Sequence, residues 1–245
     1  MALIEEAIEL TEEFFGDAEE EAEGLSEDVQ EEMKAEVAEA SSEVAEFSKV
    51  ADALKSFLEF AATNIPKVAA FVGKTIEMGV ILWGVNVLLT KLFPHPSSDK
   101  SKKRTAIKAL TTVIKTETVL GQKTLEWMKE HRDDHITLGE IDVPLESVIA
   151  KYITPISEAV DETFKIAKNL QYKLDGKVQF KIPTGEDMRE ILTTGDAFLK
   201  GFNDLVVFIS ENVQKIEQLA TFPVKQADID LLTTQLKDAK DLPLW

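Results

Sequence analysis

The stretch Met78-Gly79-Val80-Ile81-Leu82-Trp83-Gly84-Val85-Asn86-Val87-Leu88-Leu89 holds one polar side chain, Asn86, in twelve residues. A helix that is apolar on every side is enclosed either by other helices or by lipid, so this stretch decides the architecture. As a membrane span it falls short. Lys74 and Glu77 interrupt it and leave an uncharged run of 13 residues, Met78 to Thr90, where roughly 18 to 20 are needed. The expectation is a central buried helix from Pro66, opened by the break Asn64-Ile65-Pro66, to Phe93, where Pro94-His95-Pro96 stops it. Gly73, Gly79 and Gly84 cost such a helix stability unless close packing or insertion uses them. Lys74 and Glu77, three residues apart, are expected to pair where the helix emerges.

Helical spacing continues on both sides. Upstream, Ile4, Ala7, Ile8, Thr11, Phe14 and Phe15 mark a short amphipathic helix ended by Gly16. Met33, Val37, Ala40, Val44, Phe47, Ala51, Leu54, Leu58 and Ala61 then follow alternating steps of four and three. This heptad seam suits a helix packed lengthwise on another, either within the chain or from a second copy. Downstream, Ile107, Leu110, Ile114, Gly121, Leu125 and Met128 predict a helix over 105–129, with His131-Arg132-Asp133-Asp134-His135 fraying into a loop.

From Pro144 the positions Leu145 to Leu170 keep the 3.6-residue period, and Pro155 is expected to kink or divide the helix near Thr154. The period changes at Leu174-Asp175-Gly176-Lys177-Val178-Gln179-Phe180, where alternation around Asp-Gly predicts a short hairpin near 174–182. Thr184 with Asp187 resembles a helix start with a side-chain cap. A stripe from Met188 to Leu219 predicts a helix of about 35 residues ended by Pro223, and a short helix from Gln226 to Asp238 leads to Leu242-Pro243-Leu244-Trp245. The predicted fold class is all-α: an elongated multi-helix bundle with a central apolar helix at about 66–93 and one short β-hairpin. Two units are expected, an acidic helical arm at 1–50 and a bundle body at 51–245.

The charge divides at the same boundary. The 245 residues carry 45 Asp and Glu against 27 Lys and Arg, a net charge of −18. Residues 1–50 alone hold 18 acidic and 2 basic residues, which leaves the body close to neutral. Nucleic acid is repelled by such an arm, since binding to phosphates rests on Lys and Arg. The local exception is Lys100, Lys102, Lys103, Arg104 and Lys108, expected in a solvated loop leading into a helix and able to meet phosphates, anionic lipid or the acidic arm. The absence of cysteine removes disulfides and thiolate chemistry. With no basic, apolar leader and no glycosylation sequon, a cytoplasmic or otherwise intracellular setting is expected.

Reactive constellations are sparse. Gly73-Lys74-Thr75 is not a phosphate loop, because position 68 is valine where that motif needs glycine. His131 and His135, four apart, could share a helix face and ligate a metal with Asp133 or Asp134, but two ligands are not a site. Acid–base pairs cannot be picked out among 45 carboxylates, and no nucleophile elbow or dinucleotide fingerprint is present. No catalytic, metal or cofactor residue is therefore expected, nor a small-molecule substrate.

The residues singled out for interaction are Met33, Val37, Val44, Phe47 and Leu54 of the seam, Lys102, Lys103 and Arg104 of the basic cluster, and the terminal Trp245. They suit a non-enzymatic structural or protein-interaction protein that acts through helix–helix contacts and self-assembles, with a second copy or another protein as partner. The alternative is a soluble helical protein that inserts into membranes, as pore-forming proteins do, using helix 66–93. A weaker third reading is an acidic mimic that occupies a basic partner's site through residues 5–46.

Overall fold

In a computed structural model, residues 66–92 and 99–243 are described. The chain forms helices α1 (Pro66–Leu92) and α2 (Asp99–Glu130), a hairpin β1 (His135–Leu138) and β2 (Ile141–Pro144), and helix α3 (Leu145–Lys168). A second hairpin, β3 (Gln171–Leu174) and β4 (Lys177–Phe180), leads to α4 (Gly185–Asn212), a 3-10 turn at Glu217–Thr221 and α5 (Gln226–Lys240). The chain is a multi-helix, mostly α fold built on a long apolar helix.

Helix α1 behaves as its composition demands. From Phe71 to Thr90 every residue is buried except Gly73, Lys74, Glu77 and Leu88, which are half-buried. Its neighbours are fixed by close approaches. A Cβ on Gly121 of α2 would lie 2.1 Å from Phe71 Cε1, and one on Gly84 would lie 2.6 Å from the ring of Phe180 in β4. Lys74 pairs with Asp161 of α3, so the expected pairing with Glu77 inside the helix does not form. A lysine at the edge of an apolar helix reaches across to the neighbouring carboxylate because that removes both charges from the apolar face together.

The helices form a closed circuit. α1 packs on α2 and α3, α3 on α4, and α5 closes the ring between α2 and α4. α3 and α4 cross where Gly201 meets Ile156, at 2.5 Å from a built Cβ. Lys123 to Asp228, at 3.2 Å, and Thr116 Oγ1 to Gln235 Oε1, at 2.7 Å, hold α5 antiparallel to α2. The phenyl rings of Phe71, Phe198 and Phe202 meet inside the circuit with centroids 5.0 to 6.4 Å apart. Each such side chain contributes about 1.5–3 kcal/mol of burial.

Several boundaries depart from the periodicity. α2 begins at Asp99, six residues before the expected Thr105, so the basic cluster lies on helix and not in a loop. α3 runs undivided through Pro155. That proline is exposed, so the carbonyl it leaves unpaired faces solvent, while Ile153 and Ile156 on either side stay in the core. α4 stops at Asn212 and not at Leu219. The chain turns there so that Ile216, Leu219 and Phe222 fold back into the core, and Trp127 Nε1 donates to Thr221 Oγ1 at 2.9 Å to fasten the turn.

Both hairpins are two-stranded and antiparallel, with Leu138 opposite Ile141 and Leu174 opposite Lys177. The second is the expected one; its Asp175-Gly176 turn has φ of 52° and 81°, the left-handed pair that Asp-Gly supplies. The first, which the spacing did not predict, begins at His135, the last residue of the stretch expected to fray. Ile136 alternates inward there, and Gly139 turns the chain at φ 69°. The Thr184 cap is present in full: its hydroxyl accepts from the Asp187 amide while the Asp187 carboxylate accepts from the Thr184 amide. The proposed arm at 1–50 and residues 51–65 lie outside the described residues.

Alanine at Gly121 is expected to cost about 1–3 kcal/mol through overpacking against Phe71. Alanine at Gly73, where nothing lies within 4 Å of the new methyl, should instead add about 0.5–1 kcal/mol. Urea unfolding of the two single variants measures both signs.

Candidate functional site

Threonines fill most buried polar positions in these helices, and each satisfies itself locally. Thr75, Thr90, Thr111, Thr118, Thr124 and Thr163 donate to the carbonyl four residues back. Glu117 cannot do this. It lies in the middle of α2 at 4% exposure, and its Oε1 has no hydrogen-bond partner. It stands three residues after Ile114 and four before Gly121, on the apolar stripe itself.

The carboxyl lines a small cavity between α2, α3 and α4, walled by Ile114, Val160, Leu192 and Phe198 and edged by the hydroxyls of Thr163 and Thr194. About 10 Å³ is open there to the centre of a water-sized sphere, room for one water. Thr163 and Thr194 hydrogen-bond each other. Burial pushes the Glu117 carboxyl up to about 8, and no cation among the described residues offsets it. Glu77 on α1 is also raised by burial, with Lys168 and Lys74 pulling it back down.

A carboxylic acid kept neutral near pH 7 can serve as a general acid. Here the walls leave space for one water and none for a substrate, and the neighbouring groups are two hydroxyls already engaged with each other. The arrangement is suited to storing a proton inside the bundle. Glu117 is not among the residues expected from the sequence, although a single glutamate on the Ile107–Met128 stripe is its signal.

His131 and His135 are each engaged by a different partner. His131 Nδ1 lies 2.7 Å from Asp134 Oδ2 and its Nε2 lies 3.1 Å from Thr221 Oγ1, while His135 Nδ1 lies 3.1 Å from Asp142 Oδ2 across the first hairpin. Among the described residues, no three His, Asp or Glu side chains are grouped to hold a metal ion.

The surface charge is polarised along the bundle. One end is built from the last turns of α1 and α3, the first turns of α2 and α4, and the second hairpin. Residues 85–92, 99–108 and 162–192 at that end carry twelve Lys and Arg against six Asp and Glu. The opposite end, residues 123–152 and 203–230, carries the reverse, six against twelve. Lys102, Lys103 and Arg104 lie on the first two turns of α2 at the basic end; Lys102 is exposed and its ammonium sits 3.7 Å from Asp99. Met33, Val37, Val44, Phe47, Leu54 and Trp245 lie outside the described residues.

Compared with protein-family models, curated proteins and solved structures, the chain matches none.

Because Glu117 is raised in the folded state, its contribution to stability is complete below about pH 4.5 and is lost as pH rises through about 8. The melting temperature is therefore expected to fall from pH 5 to pH 9, and Glu117→Gln should flatten most of that slope, leaving the smaller share due to Glu77. Thermal unfolding followed by circular dichroism across that range checks the sign.

Proposed function

We propose that this chain is a non-enzymatic interaction protein that works through its helical and hairpin surfaces and associates with copies of itself. What supports this most directly is the pair of aliphatic side chains held in solvent at the tip of the first hairpin. Leu138 and Ile141 face each other across the Gly139-Glu140 turn at 50% and 66% exposure. Adjacent apolar groups held rigidly in water gain free energy when a second surface covers them. The second hairpin repeats the pattern, with Tyr172 and Leu174 exposed. The two ends differ in charge sign, which sets the orientation in which neighbours approach.

A second reading, insertion into membranes, is favoured by one observation. Ala70–Leu92 is long and apolar enough to cross a bilayer once Lys74, Glu77 and Lys91 are tolerated, a test that the uncharged-run count did not meet. Most of it is enclosed in the bundle, so insertion requires the circuit to open. Acid does not supply the trigger through Glu117 or Glu77, because both buried acids make the closed form more stable as pH falls.

Light scattering after size exclusion, over a range of concentrations, tests the first reading: oligomers are expected, and the Leu138→Ser/Ile141→Ser double variant should shift them toward monomer. A wild-type chain that stays monomeric at every concentration contradicts it. Dye release from liposomes with and without anionic lipid tests the second, and release by the wild-type chain would favour it over the first.

A further inference from the structure

Among the described residues, three buried side chains of α1 lie outside the main core cluster. Val80, Trp83 and Val87 are 1%, 1% and 4% exposed, yet they do not belong to the cluster formed by Ile76, Ile81, Leu82, Val85 and their partners on the other helices. Their steps of three and four place them on one face of the helix, with Lys91 one turn beyond.

The segment before α1 carries the matching pattern. Its heptad seam runs through Val44, Phe47, Ala51 and Leu54, and Asn64-Ile65-Pro66 supplies the break at which the chain can reverse. Counted outward from Ile65, Phe47 and Trp83 are both eighteen residues away, Ala51 and Val80 fourteen and fifteen, and Val44 and Val87 twenty-one and twenty-two. Antiparallel helices joined by a short connection meet in that register.

Charge agrees independently with this register. Glu39 and Lys91 are each twenty-six residues from Ile65, and Glu36, Glu32 and Glu31 follow past the end of α1, where α2 presents Lys100, Lys102 and Lys103. The end from which the segment departs is acidic and the end it would reach is basic. Residues 31–46, the half of the segment farthest from Ile65, carry six glutamates against one lysine and gain by reaching the second. The span is about 40 Å, the length of a 27-residue helix. At about 1.5 Å per residue the seam covers it.

We infer that residues 33–61 dock antiparallel on the α1 face marked by Val80, Trp83 and Val87 of the same chain, and that this lays the glutamates of 31–46 on the basic end of the bundle. A second copy could present the same seam, but the tethered segment acts at an effective concentration on the order of millimolar and occupies the face first. The docking takes place within one chain and does not depend on the self-association proposed above.

The test uses the full chain, an equal mixture of unlabelled and nitrogen-15-labelled protein, and a zero-length carbodiimide that joins carboxylates to lysines, read by peptide mass spectrometry. Links from Glu36, Glu39 or Glu43 to Lys91, Lys102 or Lys103 are expected within same-label pairs, weakening in 0.5 M salt as charge contacts do. Mixed-label links between those residues would make a second copy the occupant and overturn the inference. So would the absence of links from 31–46 to the basic end at low salt, or equal linkage to Lys129, Lys151 and Lys215 at the other end. Mixed-label links between the two bundle ends report self-association separately, so either idea can fail alone.

Discussion

A helix that is apolar on every side has no face to give to water, and the rest of this structure follows from enclosing one. α1 sets the spacing of α2, which approaches closely enough that Gly121 leaves no room for a methyl group against Phe71, and of the second hairpin, whose Phe180 fills the space over Gly84. α3 in turn carries α4, and α5 joins α4 to α2. The hairpins are the connections that let long helices turn around at the bundle ends, the inward-facing backbone groups of each strand satisfying those of the other.

Two electrostatic features ride on this frame, and they work at different depths. Inside, Glu117 occupies a position that an aliphatic residue would fill with less cost, and it stays neutral because ionisation would place an uncompensated charge among apolar walls. At the surface, a nearly balanced count of charges conceals a polarity between the two ends. The first feature ties stability to pH; the second gives the molecule a direction.

How much of this was legible in the sequence depended on whether local spacing and tertiary packing agreed. They agreed for α1, which opens at Pro66 and ends at Leu92, just before the prolines of Pro94-His95-Pro96 in the sequence, for the Thr184 cap, and for the Asp175-Gly176 hairpin. They parted where a continuous apolar spacing ran through a change of direction: Ile209, Val213 and Ile216 look like one stripe, yet the chain turns after Asn212 so that Ile216 can reach the core from outside the helix. The first hairpin was masked by its charged approach, His131 to His135, which resembles a fraying helix end. Pro155 misled in the other direction, because its effect on a helix depends on which face it occupies, and that face is set by tertiary structure. Glu117 was visible as an acid on an apolar stripe, but burial and lack of a partner are properties of the surrounding helices.

If α1 is the element that all others enclose, its backbone can open only when the whole bundle does. Native-state hydrogen exchange resolved along the chain measures this most directly. The account predicts that the amides of Val80 to Leu89 are the slowest to exchange and do so with the free energy of global unfolding. Exchange of that stretch through a cheaper local opening, while α3 and α4 stay protected, would contradict it.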